Sequence, residues 1–186
     1  MTSLNIPGVL LIEPSVASDH RGCFTETHHE QRYTDAGITE HFVQDNCSRS
    51  VRNTVRGLHF QDPHAQGKLV MAVEGTVYDV VVDIRKGSPT FGTWYGVELS
   101  GTTFHQLYIP PGCAHGFCVT SETATFLYKC TAYYSPSDER GILWNDPALD
   151  IHWPISEPIL SSKDQAYRTL KEMDMAGKLP FYTPRP

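Results

Sequence analysis

The chain is built from short runs rich in β-branched and aromatic residues, each closed by turn formers. "GVLLIEP", "GCFTET", "HFVQDNC", "LVMAVEG", "TVYDVVVDI", "GTWYGVELS", "HQLYIP", "GFCVT" and "ATFLYKCTAYY" follow one another, with Gly75, Gly87-Ser88-Pro89, Gly101 and Pro110-Pro111-Gly112 between them. Short strands at such regular spacing bury their apolar faces only by stacking sheet on sheet, so a sandwich, jelly roll or barrel is predicted. "TVYDVVVDI" alternates in part, which places Asp79 and Asp83 on one face of a strand. Helix is scarce. "HHEQRYTDAGI" reads as a short helix ending at Gly37, and "SSKDQAYRTLKEMDMAG" as a single longer one, capped by Ser161 or Ser162 and ended by Gly177. The closing "KLPFYTPRP" reads as a loosely held tail. The expectation is an all-β single domain over residues 1–186, with its core at about 8–164 and a C-terminal helix and tail at about 161–186.

A chain of 186 residues buries roughly 70% of its unfolded surface and needs no disulfide staples. Its five cysteines are odd in number and form no CxxC pair, so reduced thiols in or near the core are expected and a zinc site is not. The net charge of -6, without a basic run, argues against a nucleic-acid partner. An acidic chain still binds an anion where a few arginines converge. "MTSLNIPGVLLIEP" has no positive leader and no long apolar core, and no stretch is long enough to span a bilayer. A cytoplasmic protein with no membrane partner is expected.

Two stretches carry chemistry. In "IPPGCAHGF", Pro110, Gly112 and His115 fit the P-x-G-x-x-H turn of the cupin superfamily, a jelly-roll class, and aim His115 into the barrel mouth. Metal-binding cupins pair this turn with H-x-H and a glutamate. In "RGLHFQDPHAQGKLV", His59 and His64 lack that spacing and Lys68 stands where the glutamate belongs. An ammonium there repels a dication, so a barrel without metal is expected, with His59, Lys68 and His115 in its pocket and His64 at the rim. A histidine beside a lysine suits proton abstraction next to a carbonyl. The imidazole is a base near neutral pH, and the ammonium steadies the enolate oxygen. Inversion at carbon needs a second acid on the opposite face, for which Tyr128, Tyr133 and Tyr134 of "YKCTAYY" are candidates.

"DHRGCFTET", "FVQDNCSRS", "VRGLHFQ", "QGKLV", "YDVVVDIRKGSPTFGTW", "IPPGCAHGF", "YKCTAYYSPSDERGILWNDP" and "SSKD" occur in one order along nearly the whole chain. Together they resemble the dTDP-4-dehydrorhamnose 3,5-epimerases. The resemblance implies a cupin-like jelly roll without metal or cofactor, a homodimer, and an isomerase of dTDP-L-rhamnose biosynthesis. Its reaction would invert dTDP-4-dehydro-6-deoxy-D-glucose at carbons 3 and 5. By the same resemblance His59 is the general base, Asp164 its partner, Lys68 the group near the sugar carbonyl and Tyr128 the proton donor. Gln44, Asp45 and Asn46 fall near the base and deoxyribose, and Arg56 and His115 fit phosphate and sugar contacts. Tyr134, Glu139 and Lys163 take later substrate-binding positions. Arg21 and Glu26 lie in an N-terminal segment that would complete the partner subunit's site.

Departures from the family pattern occur at Cys113, in "SGTTFHQ", and at His28 and His29. They leave open a carbon-3-only epimerase of a deoxysugar pathway. More distant alternatives are a metal-dependent cupin enzyme and a non-catalytic nucleotide-sugar binding module. His20, His41, His105 and His152 are assigned to surface or structural roles. Asp83 is expected in a buried pair or against Lys68.

Overall fold

A computed structural model of the chain describes residues 1–184, and Arg185 and Pro186, the end of the expected tail, lie outside the described residues. The strands in chain order are β1 (Thr2–Ser3), β2 (Leu10–Ile12), β3 (Val16–Asp19), β4 (Gly22–Thr25), β5 (Gln44–Val51), β6 (Val55–Gln61), β7 (Lys68–Glu74), β8 (Thr76–Asp83), β9 (Trp94–Ser100), β10 (Gln106–Ile109), β11 (Cys113–Val119), β12 (Thr123–Cys130) and β13 (Glu139–Gly141). Three short helices join them: α1 (Glu30–Asp35), α2 (Ser162–Gln165) and α3 (Leu170–Met175).

Two antiparallel sheets make the jelly roll, a six-stranded one in the order β1-β2-β10-β7-β12-β5 and a five-stranded one in the order β13-β6-β11-β8-β9. Strand alternation sorts the side chains into three apolar clusters. Between the sheets lie Val70, Val81, Leu107, Ile109, Phe117 and Phe126. Behind the five-stranded sheet, Leu58, Val80, Val82 and Ile142 meet Leu170, Met173 and Leu179 of the C-terminal segment. Behind the six-stranded sheet, Ile12, Leu69 and Tyr108 meet Tyr33 and Ile38 around α1. Strand β8 shows the logic of alternation: Val77 and Val81 enter the inter-sheet core, whereas Val80 and Val82 enter the layer behind it. Asp79 and Asp83 therefore point between the sheets, on one face as the sequence predicts, and both are fully buried.

The single C-terminal helix expected from "SSKDQAYRTLKEMDMAG" is two helices. Ser161 caps α2 by accepting from the Asp164 amide, and Thr169 starts α3 with a reciprocal capping box to Glu172. Between them the backbone turns extended, so that Ile142 bridges Arg168 and the Leu143 amide donates to the Arg168 carbonyl at 2.8 Å. A second capping signal and a sheet bond outweigh helix propensity there. The tail expected to be loose is held as far as Tyr182. Lys86 exchanges backbone hydrogen bonds with Pro180 and Tyr182, and the Arg85 guanidinium lies 5.0 Å from the Tyr182 ring centroid. Of the cysteines, Cys113, Cys118 and Cys130 are buried free thiols, while Cys47 is exposed on the outward face of β5 and Cys23 on the exposed strand β4.

Candidate active site

A cavity of about 590 Å³ opens between the two sheets, floored by strands from both and rimmed by α2. Strand β5 sends Gln44, Asn46 and Ser48 into it. Alternation turns Asp45 to the outer face, where it pairs with Lys129 at 2.9 Å, so the expected binding role of Asp45 has no counterpart in this cavity. Strand β6 supplies Arg56 and His59, β7 begins with Lys68, β11 contributes His115 and Phe117, and β12 contributes Phe126, Tyr128 and Cys130. Tyr134, Glu139, Ser161, Lys163 and Asp164 complete the lining.

His59 and His115 face each other across the β6–β11 ladder as register partners. The ladder slips just beyond them, between His115 and Phe117, and such bulges re-aim side chains. The slip depends on glycine. Gly57 has φ of 139°, and a Cβ there would lie 2.5 Å from the Gly116 Cα.

Each histidine holds a carboxylate. His59 Nε2 lies 2.6 Å from Asp164 Oδ1, and His115 Nε2 lies 2.9 Å from Asp79 Oδ2. The first pair joins a strand to the first turn of α2, 105 residues away, and Asp164 is almost wholly buried. Burial pushes the Asp164 carboxyl up, but the hydrogen bond and charge of His59 outweigh it and hold the group below its ordinary value. His115 is buried and stacks on Phe126 at 6.2 Å between centroids. Desolvation lowers its pKa, against the pull of Asp79, so it stays a neutral imidazole.

Lys68 has no carboxylate within ion-pair distance among the described residues and is half-buried in the cavity wall. Burial pulls its ammonium pKa down, with Cys130, Asp79 and Glu139 acting in the opposite sense. Burial pushes the Tyr128 phenol up, so it holds its proton through neutral pH. Lys163 Nζ pairs with Glu139 Oε1 at 2.6 Å, and the Tyr134 hydroxyl donates to Glu139 Oε2 at 2.6 Å. The Tyr134 amide donates to Gln44 Oε1 at 2.8 Å, which ties the tyrosine loop to β5.

Arg21 and Glu26 do not line the cavity of their own chain. Arg21 pairs with Asp19 on the exposed β3–β4 hairpin, and Glu26 pairs with Arg32 of α1. His64 is exposed and bonded to Asp138 at 2.7 Å, outside the cavity lining. Asp83 takes the first of its two expected places, a buried pair with Arg85 at 2.8 Å, further bonded by Ser88 and Thr90. Asp79, two strand repeats before it on the same face, is the carboxylate that reaches His115. It sits opposite Phe117, diagonal to His115 in the β8–β11 register.

Sequence reasoning missed Ser48, Gln66, Phe117, Phe126, Cys130 and Ser161 as lining residues. The two phenylalanines had a signal in strand alternation, and Gln66 in its place two residues before Lys68. Among the described residues no three His, Cys, Asp or Glu side chains converge as a metal site would need. A larger cleft of about 880 Å³ lies beside the C-terminal tail. Its arginine, Arg85, is bonded to Asp83 and to the Pro7 carbonyl.

A profile described as dTDP-4-dehydrorhamnose 3,5-epimerase matches residues 3–172. The chain belongs to that family. It is 51% identical over 175 residues to the dTDP-4-dehydrorhamnose 3,5-epimerase of Pseudomonas aeruginosa, covering 93% of this chain and 97% of the relative. Its fold superposes on the dTDP-6-deoxy-D-glucose-3,5-epimerase of Legionella pneumophila, solved in complex with dTDP-4-keto-L-rhamnose, with a TM-score of 0.94 and 50% identity over 97% of each chain. It is also 44% identical over 181 residues to a dTDP-4-dehydrorhamnose 3-epimerase of Streptomyces niveus, covering 96% of this chain and 87% of the relative. In this family context the paired histidines, the lysine and the tyrosine stand on two facing sheets around one cavity.

Proposed function

We propose that this member of the 3,5-epimerase family converts dTDP-4-dehydro-6-deoxy-D-glucose to dTDP-4-dehydro-L-rhamnose, as one domain over residues 1–186. The observation that carries the reading is that His59 and Tyr128 enter one cavity from opposite sheets, β6 in the five-stranded and β12 in the six-stranded one. A base on one side of a sugar ring and an acid on the other is what inversion requires.

Asp164 occupies Nε2 of His59, which leaves Nδ1 as the base. That nitrogen takes the proton from the carbon next to the C4 carbonyl, and the C–H electron pair moves into the enolate. The Lys68 ammonium steadies the negative oxygen at C4. Tyr128 then gives its proton to the same carbon from the opposite side and recovers one from solvent, while His59 releases its own. Carbons 3 and 5 both flank the C4 carbonyl, so the same groups serve both after the ring changes pose. Asp164 orients the imidazole and stabilises its charged form.

Arg56 serves the diphosphate, and Gln44 and Asn46 the nucleoside, with His115 against the sugar. Glu139, Lys163 and Tyr134 form a bonded cluster at the mouth that positions substrate rather than moving protons. We assign Arg21 and Glu26 to the site of a second copy in a homodimer. Support comes from their absence from their own cavity and from the β3–β4 hairpin, where Phe24 is 75% exposed. We assign the chain a cytoplasmic setting, on its membership of a nucleotide-sugar biosynthetic family.

The likeness to the Streptomyces niveus 3-epimerase keeps a carbon-3-only reaction as the second reading. Proton NMR of the substrate incubated with the protein in heavy water separates the two. Deuterium at both carbons, with inversion, is expected. Deuterium at carbon 3 alone after long incubation would transfer the chain to the mono-epimerases.

A further inference from the structure

We propose that Tyr167 is a positioning residue for His59, its ring filling the space that Gly141 leaves open beside the imidazole. The proposal rests on His59 being the base. Gly141 is the residue directly across from His59 in the ladder between β6 and the edge strand β13. With no side chain there, one flank of the imidazole would lie against an open notch. Tyr167 occupies it. Its ring packs edge-to-face on His59, with centroids 5.8 Å apart and planes at 71°, a favoured aromatic geometry. A Cβ built on Gly141 would lie 2.4 to 2.5 Å from three atoms of that ring, so a side chain at 141 would displace it. An aromatic laid over an edge-strand glycine is a known device for completing a sheet.

The chain makes a structural detour for this contact. Tyr167 sits in the extended break between α2 and α3, where the Leu143 amide bonds to the Arg168 carbonyl at 2.8 Å. The break starts two residues after Asp164, so one short segment delivers both partners of the imidazole. Asp164 holds Nε2, and Tyr167 bars the ring from swinging away from it. Tyr167 is absent from the cavity lining, so it acts through His59 and not on substrate. Its hydroxyl is buried with no hydrogen-bond partner among the described residues, which assigns the role to the ring and not to the oxygen. Burial, with Glu139 and Asp164 nearby, raises the phenol pKa further and keeps it neutral.

The test compares steady-state kinetics and dTDP affinity across Tyr167→Phe, Tyr167→Leu, Gly141→Ala and His59→Ala. Misplacing a catalytic group by an ångström costs up to about a hundredfold, so Tyr167→Leu should lower kcat roughly 10- to 100-fold while KM and the dTDP Kd stay within about twofold. Tyr167→Phe should retain the wild-type kcat. Gly141→Ala, which pushes the ring out, should lower kcat in the wild-type background but add nothing to Tyr167→Leu, the signature of two residues acting on one contact. A wild-type kcat in Tyr167→Leu overturns the proposal. So does a Tyr167→Phe as slow as Tyr167→Leu, or a kcat loss matched by an equal loss of dTDP affinity. Near-wild-type turnover in His59→Ala marks a different failure, that of the base assignment itself.

Discussion

At the scale of single residues, burial and paired charges set the states of the ionisable groups around the cavity. Asp164 is held ionised by His59, His115 is kept neutral by burial despite Asp79, and Tyr128 keeps its proton. The consequence is sharpest at Asp164. Asp164→Asn preserves shape but replaces an acceptor by an amide that can donate to Nε2, which favours the wrong tautomer of His59. Turnover should fall on the order of a hundredfold or more, with dTDP affinity little changed, as measured by steady-state kinetics and calorimetry. Wild-type kcat in that variant would remove the dyad from the account. Residue types at this scale were largely legible. His59, Lys68, Tyr128 and Asp164 were singled out from motif context, and the fold brings all of them to one cavity. The partner of His115 was not legible. Asp79 and Asp83 share one alternation, and only the β8–β11 register decides that the former reaches the histidine.

At the scale of elements, strands read well and the C-terminal helix did not. The strand signal is local, since period-two alternation and turn residues suffice to mark most of the sheet. The break at residues 166–169 is a tertiary event, made by a sheet bond to Leu143 and a second cap at Thr169 that helix propensity does not register. The tail was misread for the same reason, because its anchors on Lys86 and Arg85 are distant in sequence. The β8–β9 connection offers a test. Asp83 and Arg85 form a buried ion pair, with side-chain exposures of 0% and 8%. Asp83→Ala leaves a buried guanidinium without its carboxylate, and should cost about 3–5 kcal/mol in denaturant unfolding. Activity per folded molecule should persist, since neither residue lines the cavity. A loss under 1 kcal/mol would show that solvent or the Pro7 carbonyl satisfies Arg85 well enough alone.

At the scale of the whole molecule, two sheets clamp a polar cavity, and the carboxylates that hold it together set its acid limit. Asp83, Glu139 and Asp164 all lie below their ordinary values in the folded chain, in each case because hydrogen bonds and paired cations overcome burial. The unfolded chain therefore binds more protons in acid. Their stabilisation is complete above the ordinary values of 3.8 and 4.5, and is lost as the pH falls through the lower folded ones. The thermal midpoint should be insensitive to these groups above pH about 5 and should drop steeply below about 4. A midpoint unchanged down to pH 3 would mean the pairs contribute nothing. The proposed inversion needs a base and an acid presented from opposed sheets. The most direct measurement is proton NMR of dTDP-4-dehydro-6-deoxy-D-glucose incubated with Tyr128→Phe in heavy water. With His59 intact and the acid removed, deuterium should enter at the carbons flanking the carbonyl while inversion is lost. Inversion at both carbons at the wild-type rate would contradict the account and move the acid to another group.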